Sequence, residues 1–178
     1  MINPRSAPLR AFTLVETLVA ITVILTALVG PLYAVQQSLA VSRAARDQLV
    51  ASSLAQEAVE YVRYVRDSNF LNVLKNGSAN SWMHGLDGTG GSTNCMSAPC
   101  VIDPTQATVS RTITPLYLSA TGLYNQAGSG TVTRFTRTVQ LAQVAGSPAE
   151  MTVTVTVTWT QLGQSRTVTV VDRLHNWL

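Results

Sequence analysis

The side chains that could do chemistry in this sequence are few and scattered. His84 and His175 are far apart, and nothing in the chain supplies either with both a nucleophile and an orienting acid. Cys95 and Cys100 could form a disulfide or bind a metal, but two cysteines without nearby histidines do not complete a zinc site. We therefore predict a short-loop disulfide and expect no catalytic residue, no metal site and no cofactor.

Two other polar positions leave alternatives open. Asp87, within GLDGTGGS, could contact calcium, but the segment lacks the regular acid spacing and terminal glutamate of a calcium loop. A flexible turn is the favoured interpretation. Asn76 begins an NGS glycosylation sequon, which suits a turn equally well.

One acid stands out because of its surroundings. Glu16 lies at the start of an apolar run, and no charged residue occurs from Thr17 to Ser42. The run exceeds the ~20 residues that span a bilayer as a helix, and an acid at mid-bilayer costs roughly 2.5–3.5 kcal/mol. Arg5 and Arg10 precede the run and favour a cytoplasmic N-terminus, with the C-terminal domain outside. A cleaved secretory signal is the rival interpretation, but its apolar region would be only ~7–15 residues long.

The charge balance gives no indication of a nucleic-acid partner. The formal net charge is +3, from 12 basic and 9 acidic side chains. Two of the basic residues are Arg5 and Arg10, so without residues 1–11 the balance falls to +1. No basic stripe with interleaved aromatic residues appears along the chain.

The elements that position these residues begin with a long helix, predicted from near Phe12 to about Arg66. Residues 12–36 form its transmembrane or assembly part, and residues 37–73 an amphipathic part that continues into a globular domain. Gly30 and Pro31 predict a kink, because proline removes a helical hydrogen bond. The second part carries apolar residues at helical spacing: Val50, Leu54, Ala58, Val62 and Val65.

The rest of the chain predicts a loop and then a sheet. Residues 74–105 are rich in Gly, Ser and Asn and read as an irregular loop that carries the cysteine pair. Residues 106–178 predict an antiparallel β-sheet with strands in TVTRFTRTVQLAQV, EMTVTVTVTWT and SRTVTVVDRL, and a fourth in ATVSRTIT. The fold class is therefore α+β, with the amphipathic half of the helix covering the apolar face of the sheet.

The segment RAFTLVE, residues 10–16, resembles the class III signal of type IV pilins and pseudopilins. In that family a prepilin peptidase removes a short basic leader before a phenylalanine and methylates the new amine, and an acid is the fifth mature residue. The resemblance implies that residues 1–11 are the leader, that cleavage falls between Ala11 and Phe12, and that Phe12 is N-methylated. This chain departs from the family at Ala11, where glycine is usual.

The resemblance also implies a function. Glu16 would pair with the Phe12 amine of a neighbouring subunit, and the helix would loosen at Gly30 and Pro31 during extraction from the bilayer. The chain would be a structural subunit of a pilus-like filament, a minor pilin or pseudopilin, rather than an enzyme. Its partners would be the prepilin peptidase, other pilin or pseudopilin subunits, the inner-membrane assembly platform and membrane lipid. The alternative is a single-pass anchored binding domain or enzyme that stays in the membrane.

Overall fold

The computed structural model describes residues 12–176. The chain divides into two compact units, one ending at Ala45 and one beginning at Arg46. Helix α1, Leu14–Asn76, supplies the first unit and continues into the second. The coarse prediction of a long apolar N-terminal helix followed by antiparallel sheets is confirmed.

In the first unit, α1 is mostly apolar and is exposed except at Ala40 and Ala44, which are partly buried. Its threonine hydroxyls bond back to the helix backbone. Thr22 Oγ1, for example, donates to the Val19 carbonyl at 2.8 Å, and Thr26 Oγ1 to the Thr22 carbonyl at 3.0 Å. This pairing lets a polar side chain lie on an apolar helix without an unsatisfied donor.

In the second unit, α1 buries one face. The predicted positions Leu54, Ala58 and Val62 are buried, while Val50 and Val65 are partly buried. The helix ends at Asn76, later than the predicted end near Arg66. Gly77 follows at φ 60°, and its N–H donates to the Val73 carbonyl at 3.0 Å, which closes the last turn with a residue that tolerates the left-handed region.

The strands that follow form three antiparallel sheets. They are β1 (Val101–Asp103), β2 (Thr108–Ser110), β3 (Tyr117–Leu118), β4 (Tyr124–Asn125), β5 (Thr131–Val132), β6 (Thr136–Val144), β7 (Ser147–Gln161) and β8 (Gln164–His175). Strands β6, β7 and β8, in that order, form the main sheet. The small sheets are β1 with β2, and β3 between β4 and β5.

Buried apolar residues and more exposed polar residues alternate along the strands of the main sheet. In β7, Met151, Val153, Val155, Val157 and Trp159 are buried, and the threonines between them are partly exposed. These apolar side chains belong to one core cluster with Leu54, Ala58 and Val62 of α1. The outer face carries rows of threonines across the three strands, such as Thr138, Thr156 and Thr169. β-branched residues fit such a half-exposed pleated surface.

Two sequence expectations need correction. The segment ATVSRTIT does not join the main sheet, because its strand β2 pairs with β1 instead. The region 74–105 is also less irregular than predicted. It contains the last turn of α1, a short 3-10 turn at Thr89–Gly91 and all of β1.

Candidate functional site: the amino-terminal helix segment and the anchors of the domain

The predicted cleavage site is only partly described. Ala11 lies outside the described residues, whereas Phe12 and Thr13 precede the first turn of α1. The Glu16 backbone N–H donates to Thr13 Oγ1 at 3.3 Å, so Thr13 caps the helix. Thr13 and Glu16 have the spacing of a capping box, a signal that the sequence interpretation missed. Glu16 therefore lies in the first turn of α1, where the positive end of the helix dipole favours an acid.

The helix segment after Glu16 is compatible with a single membrane pass. By length and composition, α1 is long and apolar enough to cross a membrane. The apolar window lies near the N-terminus, and none of it is buried within the protein. Its apolar side chains are therefore available to lipid or to other helices.

Gly30 and Pro31 lie within α1, and the helix runs through both without a break. The kink at this point stays a prediction. A side chain added at Gly30 would meet nothing within 4 Å, so this position has no packing reason to be glycine within the chain.

The predicted disulfide between Cys95 and Cys100 is present, with Cα atoms 5.3 Å apart. Both cysteines are fully buried and belong to the core cluster. The bridged loop lies along the outer edge of β6. Cys100 and Val139 exchange two backbone hydrogen bonds of 2.8 Å, and the Leu141 N–H donates to the Cys95 carbonyl at 3.0 Å. The loop therefore covers a sheet edge as well as closing on itself.

Asp87 organises a turn. Its Oδ1 accepts hydrogen bonds from the N–H and the hydroxyl of Thr89, at 3.0 and 2.7 Å. Burial raises the pKa of Asp87, but hydrogen bonds from Ser81 and Thr89 outweigh it and hold the pKa below its usual value. His84 contacts the same turn through Nδ1, 2.9 Å from Thr89 Oγ1.

His175 lies at the end of β8, where its Nδ1 is 3.9 Å from Glu150 Oε1. The two histidines therefore contact different residues: His84 contacts Thr89, and His175 lies near Glu150. Within residues 12–176, no three side chains of His, Cys, Asp or Glu are grouped to hold a metal ion.

Arg137 is the main buried polar residue that the sequence interpretation missed. Its side chain on β6 is fully buried, and Nη1 lies 2.5 Å from Glu57 Oε2 and 3.0 Å from the Leu54 carbonyl. Nη2 donates to the Ile102 carbonyl at 3.0 Å. One guanidinium thus joins α1, β1 and the main sheet. No local pattern marks it, because an arginine in a strand usually lies on the surface.

Two more ion pairs attach α1 to the domain. Arg134 Nη2 lies 2.7 Å from Oδ1 of the buried Asp47, close to the start of the second unit. Arg63 bridges two acids, with Glu60 at 2.7 Å and Asp172 of β8 at 2.9 Å. Together with Arg137, these pairs attach the helix to the rest of the domain at three separate positions along it.

Asp103 ends β1 as a buried carboxylate with a full set of donors. Oδ1 accepts from the N–H and hydroxyl of Thr105, at 3.0 and 2.6 Å, and Oδ2 accepts from the Gln126 N–H at 2.8 Å. Burial raises the pKa of Asp103, but bonds from Thr105, Gln126 and Ala127 outweigh it, so the pKa lies below its usual value. This carboxylate connects the first small sheet to the second.

Comparison with protein-family models, with curated proteins and with solved structures found no match. The family resemblance therefore depends on residues 10–16 and on the order of the elements along the chain.

Proposed function

We propose that this protein is a structural subunit of a type IV pilus-like filament, a minor pilin or a pseudopilin. The observation that carries the proposal is the exposed apolar segment of α1, in which Glu16 is the one acid before Arg43. A static anchor needs only apolar residues, whereas an acid costs free energy in lipid. Its presence five residues into the mature chain fits a subunit that leaves the bilayer and packs among other helices.

Glu16 then acts in two ways. In the membrane, it occupies the first turn of α1, where the positive end of the helix dipole favours a carboxylate. In the filament, the methylated Phe12 amine of a neighbour pairs with it. Away from water an unpaired charge is costly, so only a subunit at the correct axial stagger satisfies both groups.

The second unit would be displayed outside the inner membrane and then on the filament. Arg137 bonds its core to α1. The disulfide suits an oxidising compartment. The residues between α1 and β1 present the turn around Asp87 and the bridged loop, and loops on a rigid scaffold often carry recognition. We propose this region, within 74–105, as the part that selects the partner of the subunit.

Mass spectrometry of the protein from its native host tests the proposal. The mature chain should lack residues 1–11 and carry one methyl group on Phe12. Immunogold labelling should then place the second unit on sheared filaments. An uncut chain in a host with an active prepilin peptidase would contradict the processing, whereas a cut chain found only in the membrane would favour an anchored binding domain or enzyme.

A further inference from the structure

The two edges of the main sheet differ. The outer edge of β6 is covered, because Val139 and Leu141 bond to the cysteine loop and the Phe135 carbonyl just before β6 accepts from Leu116. Strand β8, Gln164–His175, lies at the opposite edge, and no strand within residues 12–176 pairs with its outer side. An unpaired edge of this length is a template for a further strand.

The register identifies the backbone groups that the open edge presents. Strand β8 pairs with β7 from Gln164 opposite Gln161 to His175 opposite Glu150 without a register shift. The Asn176 N–H donates to the Ala149 carbonyl at 2.8 Å, so the even-numbered residues are the ones that bond to β7. The odd-numbered residues therefore direct N–H and C=O groups away from the sheet: Ser165, Thr167, Thr169, Val171 and Arg173.

A groove lies beside this edge and would receive side chains of an added strand. It has a volume of about 360 Å³ and runs between α1 and β8, with Val59, Val170 and Val171 among its lining residues. Val171 is 62% exposed, but its side chain shares the threonine face with its β7 partner Thr154, so Val59 and Val170 supply the apolar lining. An open edge with an adjacent groove is the arrangement that proteins use to bind extended peptides by strand addition.

The charges in the groove restrict what it accepts. Arg63 is shared by two carboxylates, Glu60 and Asp172, so the three side chains carry a net charge of −1. A basic side chain beside Asp172 and Glu60 would neutralise this charge. Apolar side chains would suit the neighbouring positions next to Val168 and Val170, both partly buried.

We propose that the outer edge of β8 binds an extended segment of another protein by antiparallel strand addition. Alternate side chains of this segment face the groove. From its N-terminal end, these are one basic residue followed by two apolar ones. Its backbone pairs with Thr167, Thr169 and Val171, while its other side chains continue the threonine face. This interaction surface does not depend on filament assembly or on processing at Phe12.

The probe is a capped, fluorescently labelled peptide, acetyl-Thr-Lys-Thr-Val-Thr-Val-Thr-amide, titrated into the full-length protein in lipid nanodiscs. We expect saturable binding by fluorescence anisotropy and slower hydrogen exchange across β8. A matched peptide with Glu in place of Lys should bind at least tenfold more weakly. So should a peptide methylated on alternate backbone nitrogens, which keeps every side chain but removes donors.

Substitutions on β8 complete the test. Thr169→Pro removes an N–H that faces away from β7, so the sheet should survive while peptide affinity falls at least tenfold. Thr169→Val keeps that N–H and should bind like the wild type. The methylated peptide keeps the test decisive if Thr169→Pro fails to fold. Absence of binding at millimolar peptide, or equal affinity for the methylated and unmethylated peptides, would overturn the proposal.

Discussion

The guanidinium of Arg137 on β6 lies 2.5 Å from the carboxylate of Glu57 on α1, and it is the most deeply buried charge among the described residues. The Glu57 side chain is 40% exposed, so one partner of the pair reaches solvent while the other does not. The fold therefore buries a cation whose compensation comes from one carboxylate and two backbone carbonyls.

Arg137→Met should lower the free energy of unfolding of the second unit by about 3 kcal/mol, because Glu57 and the Leu54 and Ile102 carbonyls lose their shared donor. Urea unfolding followed by tryptophan fluorescence measures the change. Arg173→Met is the matched control, since that side chain is 63% exposed and should change stability by less than about 0.5 kcal/mol. Equal stability of the two variants would show that the buried arginine has no anchoring role.

A second prediction concerns the hairpin between β7 and β8. Leu162 has φ 50° and Gly163 φ 75° in its two-residue turn, a conformation that suits Asn-Gly. Leu162 is 88% exposed, so Leu162→Asn loses no packing. We expect it to raise the free energy of unfolding by about 1 kcal/mol through removal of backbone strain. Leu162→Val, which is β-branched, should lower it, and a stabilised Val variant would contradict this reasoning.

The pH dependence follows from Asp103, whose folded pKa lies below its usual value of 3.8. A depressed pKa means that the folded state binds the proton less readily than the unfolded chain. The stabilisation is therefore complete above the unfolded pKa and is lost as the pH falls below about 4. Asp103→Asn should be less stable than the wild type at pH 6, and the difference should shrink at pH 2. Urea midpoints at both values measure this, with Asp67→Asn as the exposed control. If the stability difference between wild type and Asp103→Asn instead grew towards pH 2, the predicted pH dependence would be wrong.

Reduction of the Cys95–Cys100 disulfide should cost about 2 kcal/mol, because the closed loop is short. The backbone bonds from the loop to Val139 and Leu141 do not need the bridge, so the main sheet should persist. Urea unfolding with and without a phosphine reductant gives the cost, and far-ultraviolet circular dichroism follows the sheet. Collapse of the sheet signal on reduction alone would mean that the disulfide holds the domain together.

The local patterns in the sequence predicted the elements better than their long-range pairing. Alternation in β7 and the apolar spacing on α1 correspond directly to buried positions, because each depends only on the geometry of one element. The pairing of β2 with β1, which are joined by only four residues, was missed because residues 101–103 had been assigned to the irregular loop. The bond from the Gln126 N–H, just after β4, to Asp103 is long-range, and no local pattern indicates it. The capping pair Thr13 and Glu16 could have been predicted from its spacing, because it depends on adjacent residues only. It was missed because Glu16 was interpreted only by the cost of its charge in an apolar run.

If Glu16 directs entry into a filament, its substitution should change the ratio of this protein in sheared filaments to that in membranes. Glu16→Val should leave insertion and cleavage intact, since Arg5, Arg10, Ala11 and Phe12 are unchanged, yet lower the ratio strongly. Breaking one side of a buried pair typically costs about 3–5 kcal/mol. Glu16→Asp should give an intermediate ratio.

Thr13→Ala separates pairing from capping in the same measurement. It removes the hydroxyl that accepts the Glu16 N–H but leaves the carboxylate in place. We expect a ratio near wild type for Thr13→Ala and a strongly reduced one for Glu16→Val. An unchanged ratio with Val at position 16, or an equal loss with Ala at position 13, would contradict the pairing role of Glu16.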